Sequence, residues 1–181
     1  MPLLWGMVPQ IRVLDAADAP AYRAVRLAAL QNDPAAFVTT AAEFAARSLD
    51  SVTAQLTPGP DGCTFGAFLN GDELVGILTL SRETRAAIRH RGNVTGVAVL
   101  PQARGQGVGD ALMRSALARA RGWNGVTSLH LAVTETQHAA RRLYERHGFR
   151  VWGTQPDALR QDGHVLSEDW MWLPLSGMDG Q

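Results

Sequence analysis

Apolar and polar positions alternate along this chain with two distinct periods, and the switches between them outline its elements. Residues 11–14 (IRVL) read as a short opening strand. Asp18 is then placed to cap a helix carrying Pro20 in its first turn, which runs to about Gln31 and stops at Asn32-Asp33-Pro34. A second helical stretch covers 40–56 and ends in the loop TPGPDG at 57–62. Residues 64–69 and 74–80 are β-rich and joined by NGDE, where Asn70-Gly71 is a hairpin signal. A strand over 93–100 places Val97 and Val99 on one face with Thr95, and Val94, Ala98 and Leu100 on the other.

The period then lengthens. Gly109, Leu112, Met113, Ala116, Leu117 and Ala120 fall on one stripe of a helix, with Asp110 and Arg114 spaced as an i,i+4 pair away from it. A strand at 127–133 (TSLHLAV) follows, and then a helix at 137–147 whose inner stripe is Ala140, Leu143, Tyr144 and His147. Its outer side carries Arg141, Arg142, Glu145 and Arg146, and Gly148 ends it. Strands at 149–155 and 165–173 finish a pattern with no repeat, low-complexity tract or linker. The expectation is a single α/β domain over 1–181, with its core at about 11–175.

Composition narrows the chemistry. The 181 residues are 46% hydrophobic, and acidic and basic residues balance at 17 each, so no broad charged surface is set out for nucleic acid or anionic lipid. Every basic residue is arginine, which excludes a Schiff-base or phosphate-loop lysine. Cys63 is the only cysteine, leaving no internal disulfide and no multi-cysteine metal site. His130, His138, His147 and His164 lack metal-ligand spacing, so no metal is expected. No apolar run of ~18 residues is present, and Met1 to Gln10 lacks a signal-peptide pattern, so a cytoplasmic protein is expected.

The stretch LPQARGQGVGDALMR (100–114) places Gly105, Gly107 and Gly109 between a strand and a helix start. Amides there have no intrahelical acceptor, the peptide dipoles favour negative charge, and glycine permits both close approach and positive φ. Arg104 is placed to add a charge-assisted contact. Residues 105–110 read G-x-G-x-G-D, which departs from a Rossmann fingerprint, and a Walker loop needs the absent lysine. Tight packing alone remains the alternative reading of these glycines.

The longer stretch VAVLPQARGQGVGDALM (97–113) resembles the acetyl-CoA-binding signature of the GNAT superfamily of N-acyltransferases. That signature, Gln/Arg-x-x-Gly-x-Gly/Ala after a strand ending in Val-x-Pro, is met by Arg104, Gly107 and Gly109 with Pro101 in place. LAVTETQHAARRLYERHGF (131–149) resembles the family's second feature, the strand and helix ending A-x-x-L-Y-x-x-x-G-F. The resemblance extends through 11–30 and 65–80. It implies one mixed, mostly antiparallel sheet flanked by helices, with a central βαβ unit that binds acetyl-CoA as cosubstrate.

The resemblance assigns roles to particular residues. The amides of Arg104, Gly105, Gln106, Gly107, Val108 and Gly109, with Asp110 and Ala111 at the helix start, would hold the pyrophosphate. Backbone near Val97 and Val99 would be exposed by splaying of two strands, pairing with the pantetheine and steadying an oxyanion. Tyr144 falls on the family's general acid; a phenol with pKa ~10 can protonate a departing thiolate. Gln137 stands where an asparagine often opens this helix, so it is a candidate coenzyme contact and a poorer cap, with Thr136 able to substitute.

No carboxylate lies on the strand before the glycines, where many members carry a glutamate. The base is left among Glu83, His90, Glu168, Asp169, Glu43 or a water relay. The implied activity is transfer of an acetyl group to a primary amine of a small molecule or a protein. The alternative is a coenzyme-A-binding sensor without catalysis. Dimerisation is common in the family, and Trp152, Trp170 and Trp172 suit a core or dimer role, or the acceptor cleft. Cys63 has no histidine pattern to make it a nucleophile.

Overall fold

In a computed structural model, which describes residues 8–175, the strands form one mixed sheet in the order β1-β2-β3-β4-β5-β7-β6. These are β1 (Gln10–Val13), β2 (Gly62–Leu69), β3 (Glu73–Arg82), β4 (Arg91–Val99), β5 (Ser128–Thr134), β6 (Arg150–Gln161) and β7 (His164–Pro174). Every neighbouring pair is antiparallel except β4 and β5, which run parallel and are joined by a helix crossover. The β2–β3 turn is where the dipeptide places it: Asn70 (φ 51°) and Gly71 (φ 89°) both lie in the left-handed region.

β6 and β7 are longer than the 149–155 and 165–173 expected. Asp162 (φ 49°) and Gly163 (φ 80°) close a two-residue hairpin between Gln161 and His164. Pro156 reads as a strand breaker, but the register slips between Gln155 and Leu159, and β6 is the sheet's edge. An edge strand with a bulge tolerates a residue that cannot donate to the ladder.

Helices cover both faces. α4 (Val108–Arg121) and α5 (His138–Arg146) pack on one face, over a core that includes Leu112, Met113, Leu129, Leu131, Tyr144 and Met171. The expected apolar stripe of α4 is the buried one. On the other face lie α1 (Ala19–Asn32), α2 (Ala41–Ala45) and α3 (Leu49–Leu56), with Leu14, Tyr22, Phe44, Val52 and Ile77 between them. The helix expected over 40–56 is therefore two. Thr40 and Glu43 form a capping box that starts α2, and Ser48 accepts from the Ser51 amide at 3.2 Å and starts α3 afresh.

Asp18 does not cap α1 with its side chain. It is held by the Asp15 amide (2.9 Å) and by both Nη atoms of Arg12 (2.7 Å each). Asp15 instead caps the single turn Ala16–Asp18 ahead of the helix.

The strict alternation expected along β4 also fails, for one reason. Thr79 pairs with Thr95 but Ile77 pairs with Ala98, so Gly96 and Val97 together oppose Leu78. Gly96 adopts φ +60°, as a bulge residue does. The extra residue inverts the faces beyond it. Val94 packs into the α4 face together with Val97 and Val99, while Ala98 and Leu100 pack into the α1 face. Among the described residues, no helix is long and apolar enough to cross a membrane.

Candidate functional site

β4 and β5 pair only at Arg91–Ser128, Gly92–Leu129 and Asn93–His130. Beyond these positions β4 stays with β3 and β5 stays with β7, so the two strands separate and leave a gap at the centre of the sheet. The Leu100 amide donates to Val75 O of β3 at 2.8 Å. Alternation then turns the backbone polar groups of Val99 and Val97 into the gap. The splaying expected from the resemblance is present in this chain, although one acceptor in it is engaged: Arg104 Nε donates to Val99 O at 3.0 Å.

The glycine turn sits at the mouth of this gap. After the single turn Pro101–Ala103, Gly105 (φ 74°) and Gly107 (φ 77°) both take left-handed backbone, and a Cβ on either would meet no atom within 4 Å. Open space beside them is what an approaching phosphate needs. α4 begins at Val108 with Gly107 as its cap and no side chain satisfying its first amides. Those of Val108, Gly109 and Asp110 therefore point out of the helix start without an intrahelical acceptor.

Two of the predicted amides do not belong with them. The Ala111 amide donates to Gly107 O (3.0 Å), and the Arg104 amide donates to Pro101 O (3.3 Å). The Arg104 guanidinium likewise turns away from the helix start, to Val99 O and to the Asp33 carboxylate. Gly109 serves packing as well: a Cβ there would lie 3.0 Å from Leu143 Cδ2 on α5. Asp110 pairs with Arg146 and with His147 Nε2 (2.9 Å each), not with Arg114. Burial opposes ionisation of Asp110, but those two partners hold its carboxyl below the usual range.

These elements enclose a cleft of about 420 Å³ whose walls include Val97, Val99, Arg104, Gly105, Gly107, Val108, Gly109, Asp110, Gln137 and Tyr144. Of the predicted site residues, Gln106 and Ala111 are not on its walls; the Gln106 side chain folds back onto Gln102 O at 2.9 Å. Tyr144 is 6% exposed, and burial alone pushes its phenol well above the ordinary value, so it stays protonated. Gln137 occupies the α5 cap position without a side-chain cap bond, and its amide group reaches Thr136 Oγ1 at 3.4 Å.

Some cleft residues carried no sequence signal for a site. Asp33 and Phe37 enter from the segment after α1, which reads only as a helix stop. Thr134 also lines the cleft; it is 2% exposed, and its Oγ1 has no hydrogen-bond partner among the described residues.

None of the candidate bases is on the cleft wall. Glu43 is held in its capping box and Glu83 accepts from Asn93 Nδ2 (2.8 Å). Asp169 accepts from Arg141 and from Thr154 (2.6 Å each). His90 lies in the turn leading into β4. Glu168 is opposite Thr134 in the β5–β7 register, and burial raises its carboxyl pKa. Trp152 is 65% exposed, ruling out a core role, and with Trp170 it borders a separate cavity near His130. Cys63 is buried, which pushes its thiol pKa up. Among the described residues no cluster of three or more metal-ligating side chains occurs.

Solved structures resemble this fold over nearly its full length. A phosphinothricin acetyltransferase from Sinorhizobium meliloti, in complex with acetyl-CoA, matches with a TM-score of 0.81 at 20% identity, over 97% of this chain and 93% of that one. A putative acetyltransferase from Salmonella typhimurium, with its cofactor acetyl-CoA, gives 0.79 at 22% identity, over 96% and 98%. A GCN5-related N-acetyltransferase from Kribbella flavida gives 0.75 at 26% identity, over 92% and 97%. No match is found among curated proteins. The model of the Acetyltransferase (GNAT) family matches residues 19–149, from the start of α1 to the residue before β6, and the chain belongs to that family.

Proposed function

We propose that the protein is an acetyl-CoA-dependent N-acetyltransferase that passes the acetyl group directly to a primary amine of a small molecule or protein. The observation that carries this reading is the separation of β4 from β5 with the α4 start at its mouth and Tyr144 on its wall. In this reading the diphosphate of the coenzyme lies on the amides of Gly105, Gln106 and Gly107 and those of Val108, Gly109 and Asp110. The pantetheine arm runs down the gap against the backbone of Val97 and Val99, and Gln137 borders its path.

The amine nitrogen attacks the thioester carbonyl, and backbone N–H in the gap at Val97 stabilises the oxyanion. Collapse breaks the C–S bond, and Tyr144 donates its phenolic proton to the leaving thiolate. The phenol is protonated at neutral pH, as a general acid must be, and bulk water restores its proton. Thr134 lines the same cleft, and its hydroxyl, buried and unpartnered among the described residues, is a second donor in this reading. No candidate base lines the cleft, so the amine's proton leaves through water, with Glu168, opposite Thr134 in the register, as its acceptor in this reading. The test is release of free thiol from acetyl-CoA across a panel of amines. Coenzyme binding with no turnover on any amine would support the sensor reading instead.

A further inference from the structure

On the α1 side of β4 lies a second cavity, of about 170 Å³, bordered by Tyr22 and Arg26 of α1, Arg47, Thr79 of β3, and Thr95 and Gly96 of β4. Its size admits a group of several heavy atoms. Arg26 Nη1 is buried and has no hydrogen-bond partner among the described residues. The Arg26 guanidinium stacks on the Phe37 ring at 4.4 Å, an arrangement that holds the plane in place and leaves its edge donors to point elsewhere. A Cβ on Gly96 would stand 3.7 Å from Nη1, in ordinary contact, so the bulge lies directly beside this donor.

A partly buried guanidinium with one buried, unsatisfied donor calls for an anion. Burial disfavours its charged form, yet arginine remains charged at any physiological pH. No residue described on the cavity wall is acidic. Arg47, the other cation there, is already engaged, donating to Ser51 Oγ (2.9 Å) and Gln55 Oε1 (2.7 Å). The polar remainder consists of Gln55 and the hydroxyls of Tyr22, Thr39, Thr79 and Thr95; Gln55 and Thr64 already engage those of Tyr22 and Thr79, and the hydroxyls of Thr39 and Thr95 suit an oxyanion's remaining lone pairs. Position matters as much as charge. The bulge walls this cavity through Gly96 and the cleft through Val97, while Phe37 touches Arg26 on one side and lines the cleft on the other.

We propose that Arg26 is a specificity-determining residue that binds the anionic group of the acceptor, so that the substrates are small amines bearing a carboxylate, such as amino acids. This rests on the acetyltransferase reading above: the carboxylate lodges beside the bulge and the amine projects past it toward the thioester. A charge-assisted, forked contact of this kind rejects the uncharged analogue strongly, because the guanidinium is then left unpaired.

The experiment uses the full chain and the standard L-amino acids, each beside its carboxamide. Thiol release from acetyl-CoA gives kcat/KM, and calorimetry against protein saturated with coenzyme A gives binding without chemistry. At least one acid should be preferred over its amide by about 30-fold, equal to ~2 kcal/mol. Arg26→Met should bring that ratio to within about threefold, and Arg26→Lys should retain part of it, with coenzyme A affinity unchanged in both as the check on folding. The proposal is overturned if no acid is preferred by either readout, or if the preference survives Arg26→Met. Arg26-dependent acid binding with no thiol from any acceptor would uphold the pocket and end the acetyl-transfer reading. Turnover without an acid preference would do the reverse.

Discussion

The rings of Tyr144 and Phe149 meet edge to face, with centroids 6.1 Å apart and planes at 63°. The contact belongs to the carbon framework of Tyr144, so Tyr144→Phe keeps it and removes only the hydroxyl. This variant should lower kcat at least about tenfold, against the roughly 10²–10⁴-fold that general acid catalysis typically contributes, with Tm and coenzyme affinity close to wild type. Steady-state kinetics beside calorimetry make the comparison, and an unchanged kcat removes Tyr144 from the mechanism.

Gly107→Ala places a Cβ on left-handed backbone, in the open space beside the α4 start. The strain alone is worth ~1–2 kcal/mol, and the methyl stands where the diphosphate is proposed to lie. The strain is common to free and bound protein and lowers Tm, whereas the methyl in the diphosphate's place should lower coenzyme A affinity at least about tenfold, or ~1.4 kcal/mol. Titration calorimetry reads this directly; affinity within twofold of wild type would move the diphosphate elsewhere.

Arg104 tests how far a cation contributes there. Its guanidinium is engaged by Val99 O and Asp33 in a pair that is 50% and 33% exposed. Exposed pairs contribute little, so Arg104→Gln should change coenzyme affinity by less than about threefold, with nearly the same dependence on salt. A tenfold loss that disappears at high salt would show instead that the side chain swings to the phosphates.

Glu168 has a folded-state pKa raised by burial from the ordinary 4.5. Its protonated form favours the fold, a contribution present below the unfolded pKa and lost as pH rises through the folded one. Glu168→Gln should therefore raise Tm at pH 7, and the gain should vanish at low pH, where both states hold the proton. If Glu168 is also the base, the same change lowers kcat/KM and abolishes the acid limb of the rate profile. Melting curves and pH–rate profiles separate the two effects.

Much of this arrangement is legible in the chain. The α4 stripe from Leu112 to Ala120, the Asn70-Gly71 turn and the position of Tyr144 on the inner side of α5 follow from period and turn chemistry. What the pattern hides depends on tertiary pairing. Arg104 reads as a phosphate ligand until Asp33, brought up by α1, captures it. Asp110 reads as a partner for Arg114 until α5 delivers Arg146 and His147. Ser48 inside an apparently continuous helix is a start signal, and Pro156 is harmless only because β6 has one neighbour. Arg26 lies on a helix whose period says nothing of what its guanidinium faces across the sheet.

The inserted residue at Gly96 has a consequence for how β4 tolerates change. Every position from Val97 onward owes its orientation to a count, so deleting one residue anywhere in that short run exchanges inside for outside from there to Leu100. Ordinary side-chain replacements along the same run leave that phase intact. A change of length in the loops keeps the two compartments in step, while a frame slip within this strand disconnects the chamber beside Arg26 from the channel beside Tyr144.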